Sequence, residues 1–285
     1  MRIDCKRVLC MAAVALTMST VAFSQSPAPG PTSAPSSATD VHAPTPEPGR
    51  PLNSFVETGG SFSTLTQGFG NWSGGYVRTV VTAGRSVWEA EVNHQNEFHD
   101  QGTYMSLGNT LTVNPDWYGS LTIGSSVGGF FYPRIRTDAF MNRKWLHRRQ
   151  LITSLGFSYD HAKDAHFDNG LLVGATYYFD APWIVEGGVH INDSRPGSVF
   201  SSTQFLALTQ GREKHHYLVV RVGGGREAYQ LIGPTTALAE FPSETLTITW
   251  RQWAGRNWGF SFVGDYYHNP YYQRGGSSFG LFKEF

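Results

Sequence analysis

The chain has 285 residues with 22 basic and 22 acidic side chains, and its charged fraction of 15% is well below the ~25% of an average soluble domain. Its zero net charge and its pI near 7.2 give no basis for nucleic-acid binding. Beyond residue 25, no segment approaches the ~18 uninterrupted apolar residues that a membrane-spanning helix requires.

The N-terminus, residues 1–24, has the layout of a secretory signal peptide. The basic residues Arg2, Lys6 and Arg7 precede an apolar stretch that ends in the small-x-small cleavage site AFS at 22–24. We therefore predict cleavage after Ser24. A retained anchor helix is the weaker alternative, because hydroxyl residues interrupt the short apolar stretch. Both cysteines of the chain lie in this segment, so we expect no thiol and no disulfide in the mature protein.

Residues 25–51 are rich in Pro, Ser and Ala and show no apolar periodicity. Such a composition favours extended, polyproline-like conformations and cannot build a hydrophobic core. We predict that this segment is a disordered linker that leads into a single domain, residues 52–285.

From residue 52 onward, apolar and polar residues alternate with a period of two. In ETLTITWRQW, Leu246, Ile248 and Trp250 lie on one face, while threonines and Arg251 lie on the other. Such alternation over about ten residues is typical of a half-buried β-strand. The pattern predicts about 14 strands, at 53–63, 74–83, 86–97, 103–113, 117–128, 138–146, 149–160, 169–179, 183–193, 199–209, 215–227, 243–253, 258–267 and 275–285.

The connections between these strands separate the membrane barrel from a water-soluble sandwich, which would show the same alternation. Every second connection is a tight turn, such as AGR at 83–85, whereas the others are longer, such as YQLIGPTTALAEFPS at 229–243. Tight turns on one side, longer loops on the other and an even strand count are typical of bacterial outer-membrane proteins. We therefore predict an all-β fold, a transmembrane antiparallel up-and-down β-barrel in the bacterial outer membrane with both termini in the periplasm.

Aromatic residues mark the periplasmic rim of the predicted barrel. An aromatic girdle places indole N–H groups in water and the rings in lipid. The tryptophans close to tight turns are Trp88, Trp117, Trp145, Trp183, Trp253 and Trp258. The chain ends on Phe285, behind the alternating residues Phe279 and Leu281. We expect Phe285 to be the last lipid-facing side chain and the assembly signal that the barrel-assembly machinery recognises.

Strand parity turns the charged residues of the strands toward the lumen. An Arg in hydrocarbon costs about 2–4 kcal/mol at the bilayer midplane, so such residues should face water or each other. The lumen-facing candidates are Glu89, Glu91, Glu186, His190, Arg221, Glu227, Arg251 and Asp265. We expect most of them to brace the wall as paired charges. Luminal tyrosines such as Tyr76, Tyr178 and Tyr267 would suit the apolar faces of sugars.

Two clusters contain the residue types of hydrolases and metal sites. They are His190, Asp193 and Ser194 in HINDS, and Asp160, His161, Asp164, His166 and Asp168 in DHAKDAHFD. His and Asp both suit divalent ions. However, the second cluster has no fixed ligand spacing, and solvated loop residues explain it as well. We therefore expect no enzymatic activity, no metal and no cofactor.

Several Gly- and aromatic-rich stretches resemble the YaiO-type family of outer-membrane β-barrels, with a similarity that runs from about residue 100 to 285. The stretches are RVGGGRE at 221–227, WRQWAGRNWGFSFVGDYYHNP at 250–270 and RGGSSFGLFKEF at 274–285. The resemblance implies an outer-membrane barrel linked to exopolysaccharide export, which in some members follows a helical-repeat periplasmic domain. This chain has only the short Pro-rich linker in that position.

Two functions remain open from the residues. The first is a conduit for a polar solute or an exopolysaccharide, since about 14 strands enclose a lumen of intermediate width. The second is a non-conducting structural or interaction barrel whose exposed loops, GFFYPRIRTDAF at 129–140 and NPYYQRGG at 269–276, bind a glycan, lipopolysaccharide or a protein partner. In either case the expected partners include outer-membrane lipid and lipopolysaccharide, with a polysaccharide as a candidate and nucleic acid excluded.

Overall fold

The computed structural model describes residues 54–180, 182–233 and 236–285, with the backbone alone at residues 236 and 237. The predicted signal peptide, residues 1–24, and the predicted linker, residues 25–51, lie outside the described residues. The described chain forms a closed antiparallel β-barrel of 14 strands, which confirms the predicted fold class. Among these residues, no helix has the length and apolarity needed to cross a membrane.

The strands follow one another around the barrel in chain order. Their bounds are β1 Phe55–Leu65, β2 Asn71–Ala83, β3 Ser86–Glu97, β4 Asp100–Asn114, β5 Trp117–Gly128, β6 Ile135–Trp145, β7 Leu151–His161, β8 Phe167–Tyr178, β9 Trp183–Arg195, β10 Val199–Arg212, β11 His216–Gly233, β12 Thr236–Trp253, β13 Trp258–His268 and β14 Gln273–Glu284. All of the predicted strands are present in the predicted order.

The barrel closes where β14 pairs with β1, in a register that runs from Phe55 opposite Glu284 to Leu65 opposite Arg274. The backbone N–H of Phe285 continues this pairing by donating to the carbonyl of Ser54, at 2.9 Å. Closure leaves no unpaired strand in the wall, which is what a β-structure in lipid requires. Because the strand count is even, both ends of the barrel chain lie on one side, the periplasmic side of an outer-membrane barrel.

The alternation of side chains sets the two faces of the wall. In β14, Phe279 and Leu281 are exposed on the outside, whereas Phe282 and Glu284 are buried inside. The same pattern occurs in β12, where Leu246 and Ile248 point outward. An outer band of large apolar residues around a polar interior is the arrangement that a lipid bilayer stabilises.

The largest difference from the sequence-based expectation lies between β11 and β12. The predicted loop at 228–242 is instead a β-hairpin, because the two strands continue pairing to Gly233 and Thr236 with a register shift after Leu231. We call residues 227–241 the lid hairpin. Alternation is weak in this segment, and Pro234 and Pro242 favour a loop prediction, so the sequence hides a pairing that only the neighbouring strand stabilises.

The aromatic girdle is present with one correction. Trp88, Trp145, Trp183 and Trp258 are exposed on the outer face near the periplasmic turns. Trp253 is wrong as a girdle residue. It has the parity of the lumen-facing Arg251, packs against the inner apolar cluster around Phe282, and donates its indole N–H to Glu284 at 3.0 Å. Distance from a turn predicts depth in the membrane but not which face of the wall a residue occupies.

Phe285 lies on the outer face, as predicted from its parity with Phe279 and Leu281. Its side chain is 72% exposed and it follows the last residue of β14. The neighbouring Lys283 is also on the outer face, and its ammonium donates to the side-chain oxygen of Asn257 at 3.2 Å. The outer stripe of the closing strand therefore ends on an aromatic ring at the periplasmic rim. Its role as an assembly signal stays a prediction.

Candidate functional site

The lumen of the barrel collects the charged residues that the strands carry. All of the predicted lumen-facing residues lie on the inner wall: Glu89, Glu91, Glu186, His190, Arg221, Glu227, Arg251 and Asp265. They do not form one ring. The structure divides them among separate ion pairs and hydrogen-bonded groups at different positions around the wall.

One deeply buried group is centred on Glu57 of β1. Its Oε2 accepts from Nη1 of Arg251 at 2.7 Å, while its Oε1 accepts from Ser261 at 2.5 Å and from the Tyr76 hydroxyl at 3.0 Å. The guanidinium of Arg251 also lies 3.6 Å from the centre of the Phe282 ring. Four strands are thus tied together inside the wall, β1, β2, β12 and β13.

Two glycines make room for this group. A Cβ added at Gly59 would lie 2.6 Å from the Tyr76 hydroxyl, and one added at Gly280 would lie 2.3 Å from the same atom. Real Cβ atoms do not approach so closely. The tyrosine therefore reaches Glu57 only because both positions lack a side chain.

The second group lies on β2 and β3, beside the first. Nε of Arg78 is 2.8 Å from Oε1 of Glu89, and Glu91 is the direct register partner of Arg78. Arg78 is fully buried, and Glu91 is nearly so. Together with Glu57 and Arg251, these residues place three carboxylates against two guanidinium groups in the periplasmic half of the barrel.

Glu57 and Arg78 were missed by the sequence analysis, although the same parity rule applies to them. Arg78 has the opposite parity to the outward-facing Val77 and Val81, so its charge and its parity both place it inside. Glu57 lies in FVETGGSFS, where glycines and small polar residues weaken the alternation. A search for every charged residue within a predicted strand would have found both.

Two further ion pairs brace other parts of the wall. Glu186 and Arg221 approach to 3.7 Å across β10, and the Arg221 guanidinium lies 3.6 Å from the centre of the Phe205 ring. Nearer the extracellular end, Arg274 and Asp265 approach to 3.3 Å. These pairs agree with the expected bracing role of most luminal charges.

Small polar side chains line two walls that face each other across the lumen. One wall is β4 and β5, and the other is β10 to β12, half a turn of the barrel away. Toward the strand ends the inner residues Thr112, Ser201, Thr209 and Ser243 are buried, but the inner Ser and Thr residues at mid-depth are only half-buried, so solvent reaches them. They are Ser106, Thr110, Ser120, Thr122, Thr203, Thr245, Thr247 and Thr249.

Apolar side chains line the periplasmic end of the lumen in two clusters, which we call the periplasmic layer. One cluster is Phe55, Val80, Val87 and Phe282, with Trp253 packed against it. The other is Tyr118, Ile152, Tyr178 and Ile184. The predicted luminal tyrosine Tyr178 therefore belongs to a packed cluster at the end of the lumen.

A larger aromatic group covers the extracellular mouth, and we call it the aromatic cap. Phe98 is at its centre, with its ring centre 4.9 Å from that of Trp72 and 5.8 Å from that of Phe69. Phe69 in turn packs on Tyr272 at 5.4 Å. The other members are Phe130, Phe131 and Tyr132, and Ile232, Leu238 and Phe241 of the lid hairpin.

The cap changes the interpretation of the predicted exposed loops. Phe131 and Tyr132 in the 129–134 loop are buried, as is Tyr272 in the 269–272 loop, whereas Tyr271 is exposed. The loops turn their aromatic residues into the mouth. Burial of rings of this size removes a large apolar area from water, and this stabilises the inward-folded loops. These loops present fewer aromatic side chains to an external partner than the sequence suggested.

Polar contacts hold the loops over the mouth. The Lys163 ammonium donates to the carbonyls of Gly128 and of Gly129, the latter at 2.8 Å, and partial burial lowers the pKa of Lys163. Burial and the nearby carboxylate of Glu97 raise the pKa of Tyr132 far above its ordinary value. The lid hairpin is tied down in the same way, since Gln230 donates to the Tyr272 hydroxyl at 2.6 Å.

The predicted hydrolase-like cluster does not assemble as a triad. Asp193 points outward and pairs with Arg195 at 2.9 Å, while Ser194 points inward and donates to Asp168. His190 lies inside, two residues deeper than Asn192. In this arrangement the three side chains of HINDS do not contact one another in series, as a relay from carboxylate to imidazole to hydroxyl requires.

The second cluster, in DHAKDAHFD, divides between the loop and the lumen. Asp164 and His166 pair in the loop at 2.7 Å, and His166 stacks on Tyr229 of the lid hairpin at 3.9 Å. His161 is at the end of β7 near Tyr159, whereas Asp160 and Asp168 are buried inside the barrel. Across the described residues, no group of three or more His, Cys, Asp or Glu side chains is arranged to hold a metal ion.

Comparison with known proteins gives the family and the fold. The family model of the YaiO membrane beta barrel domain matches residues 53–230. The match begins earlier than the resemblance at about residue 100 and ends before the two C-terminal stretches that carried most of it. A comparison with curated proteins found none that matches.

Solved structures share the architecture at low sequence identity. The CymD monoaromatic hydrocarbon channel has a TM-score of 0.60 and 8% identity, with 83% of this chain and 89% of that chain covered. A bacterial polysaccharide outer membrane secretin has a TM-score of 0.50 and 10% identity, over 81% of this chain and 98% of that chain. The outer membrane protein Omp33 of Acinetobacter baumannii has a TM-score of 0.51 and 8% identity, over 83% and 100%. At these identities the likeness shows the fold alone.

Proposed function

Because this chain belongs to the YaiO membrane β-barrel family and lies in the bacterial outer membrane, we propose that it is a gated conduit for a polar, hydroxyl-rich solute or an exopolysaccharide chain. The family assignment confirms the resemblance found in the sequence. The same fold occurs in a polysaccharide secretin and in a hydrocarbon channel, so the architecture accommodates either chemistry. The side chains that line the lumen therefore decide between the two kinds of solute.

The observation that carries the proposal is the half-buried Ser and Thr lining of the two facing walls. Hydroxyl groups such as those of Thr245, Thr247 and Thr249 can donate and accept hydrogen bonds, and so replace water around a sugar at little cost. They carry no charge, so they do not hold a passing solute tightly. Conduction requires binding that is favourable enough for entry and weak enough for release.

The two apolar ends explain why such a conduit would be gated. The periplasmic layer and the aromatic cap lie at opposite ends of the polar middle of the lumen. Apolar constrictions close a water path by dewetting. The cap is built mostly from loop residues and from the lid hairpin, which can move without breaking the barrel wall.

The alternative is a non-conducting interaction barrel, and the packing of the lumen favours it. Ion pairs such as Glu57 with Arg251 and Arg78 with Glu89 occupy positions in the periplasmic half of the lumen where an open pore would hold water. In that case the loops would bind a glycan, lipopolysaccharide or a protein partner. Tyr271 is an exposed aromatic residue available for such a contact.

Sugar permeation separates the two functions. Liposomes that contain the purified barrel should take up small sugars, and a variant whose lid hairpin is shortened to a tight turn should take them up faster. Thr247→Trp, which narrows the lumen at mid-depth, should slow this uptake. Leu246→Trp is the matched control, because residue 246 faces lipid. If the wild type and the shortened variant both exclude sugars, the conduit is wrong and the interaction barrel is favoured.

A further inference from the structure

Two aspartates lie side by side on the inner wall near the extracellular end of the barrel. Asp160 of β7 and Asp168 of β8 are direct register partners. Both are almost fully buried, with 3% and 2% of their surface exposed. Side chains at directly opposite positions of an antiparallel pair have Cβ atoms about 4.5–5.5 Å apart. Two carboxylates are thus held close together away from water, which is unfavourable unless something offsets their repulsion.

Each carboxylate uses one oxygen on the side away from the other. Oδ2 of Asp160 faces Arg136 of β6, with Nη1 at 3.4 Å. Oδ1 of Asp168 accepts from Ser194 and, at 3.1 Å, from Nδ2 of Asn192, both on β9. The second oxygen of each, Oδ1 of Asp160 and Oδ2 of Asp168, is buried without a hydrogen bond. Because β7 and β8 lie between β6 and β9, the two bare oxygens are on the side that the aspartates share.

A third bare oxygen belongs to the same cluster. Asn192 has no exposed surface, and its amide nitrogen bridges Asp168 and the Ser194 hydroxyl, the latter at 3.0 Å. Its carbonyl Oδ1 has no hydrogen-bond partner. Buried polar atoms without partners cost free energy, so three of them in one cluster call for a common ligand.

The charges around the pair leave it negative. Arg136 forms two hydrogen bonds with Asp138, Nε to Oδ2 at 2.8 Å and Nη2 to Oδ1 at 3.0 Å. Its positive charge is therefore already matched by Asp138. Its longer contact with Asp160 does not neutralise Asp160 and Asp168 together.

We propose that Asp160, Asp168 and Asn192 form a binding site for a divalent hard cation, with Ca²⁺ as the preferred ion. Such ions take carboxylate and amide oxygens at about 2.3–2.6 Å, and Ca²⁺ tolerates irregular geometry and fills its remaining positions with water. The bound ion would join β7, β8 and β9 beneath the 162–166 loop. The site is independent of whether the barrel conducts.

The mature, full-length barrel purified in detergent, free of lipopolysaccharide whose phosphates bind Ca²⁺ themselves, tests this site. Calorimetric titration with CaCl₂ should show one ion bound per barrel, and Ca²⁺ should raise the temperature at which the folded barrel unfolds on a heated gel. Asp168→Asn and Asp160→Asn should each weaken Ca²⁺ binding at least tenfold and remove the Ca²⁺-dependent part of the thermal shift. Asp193→Asn is the matched control, since Asp193 follows Asn192 in the sequence but its carboxylate faces outward.

A gain-of-function variant keeps the test informative if an aspartate variant does not fold. Asn192→Asp adds a third carboxylate, so it should bind Ca²⁺ more tightly than the wild type and unfold earlier in EDTA. A wild-type barrel that binds no Ca²⁺ at millimolar concentration overturns the site. A second result would also overturn the site: Asp168→Asn unfolds at a higher temperature than the wild type in EDTA, and Ca²⁺ does not change the unfolding temperature of the wild type. The two aspartates would then share a proton instead of binding an ion.

Discussion

Arg251 and Glu57 are 194 residues apart in the chain, yet their side chains form an ion pair of 2.7 Å in the interior of the barrel. The pair joins β12 to β1 across β13 and β14, so it spans the seam where the barrel closes. Both side chains are almost completely buried. A buried pair adds little net stability over an apolar one, but the loss of one partner leaves a charge without compensation.

Glu57→Gln should therefore destabilise the barrel strongly. The glutamine keeps the shape of the side chain but leaves the Arg251 guanidinium buried without a counter-charge, at a cost of about 3–5 kcal/mol. Urea unfolding in detergent, followed by the gel shift of folded barrel, measures the effect. Glu244→Gln on the outward-facing, exposed side of β12 is the control and should change little. Equal unfolding midpoints for the two variants would show that the seam does not depend on this pair.

Deletion of Phe285 should reduce the amount of folded barrel in the outer membrane. The ring ends the lipid-facing stripe of β14, and the backbone of the same residue donates to Ser54 in the closing strand pair. Phe285→Tyr keeps the ring and the backbone and is the matched control. Heat-modifiable protein in outer-membrane fractions reports assembly. Normal levels of folded protein in the deletion variant would contradict the role of Phe285 as an assembly signal.

Luminal charge should give a conducting barrel a weak preference for cations. In the periplasmic half of the lumen the carboxylates of Glu57, Glu89 and Glu91 outnumber the guanidinium groups of Arg78 and Arg251, and a carboxylate excess favours cations. The double change of Glu89 and Glu91 to Gln should shift the reversal potential in a KCl gradient toward that of a non-selective pore. Glu244→Gln should not. If the double variant only unfolds earlier and no current is ever seen, these charges brace a closed barrel.

The aromatic cap should limit access from outside. Phe98→Ala removes the ring that contacts Phe69, Trp72 and Phe130, so the mouth should open more often and the single-channel current should rise. Phe200→Ala removes a ring that is 73% exposed on the outer wall, and it serves as the control. Phe98→Ala should also unfold more easily than Phe200→Ala, by about 3–5 kcal/mol, because it empties a buried aromatic site, so the currents are compared under conditions in which both variants stay folded. An unchanged current in Phe98→Ala would place the barrier elsewhere.

Strand number, order and facing were accessible from the sequence because a lipid environment enforces them. Leu246 faces lipid and is apolar, whereas the next residue, Thr247, faces the lumen and is polar. The parity of a residue in its strand therefore predicts whether it lies outside or inside. The same rule placed Glu186, Arg221 and Asp265 on the inner wall. The alternation of apolar and polar residues is a local pattern, and it occurs within each strand separately.

The partners of the luminal residues were not accessible, because closure of the barrel decides them. Nothing in FVETGGS indicates that Glu57 meets Arg251, since the register of β1 with β14 follows only from the complete sheet. The inward turn of Phe131 and Tyr132 also depends on the width of the mouth. Trp253 shows the same limit, as a residue at the right depth that faces the other way.

The lid hairpin leaves the wall as a ribbon of two strands paired only with each other. The register of β10 with β11 stops at Arg226, and that of β12 with β13 stops at Glu244. Both outer edges of the ribbon thus present backbone N–H and C=O groups beyond the membrane, where another chain could add a strand. Pro242 removes one such donor, and Glu240 has a positive φ of 49° that breaks the pleat. The β12 edge of the ribbon is therefore poorly shaped for strand pairing, so at the cell surface this edge resists the addition of a strand from another chain.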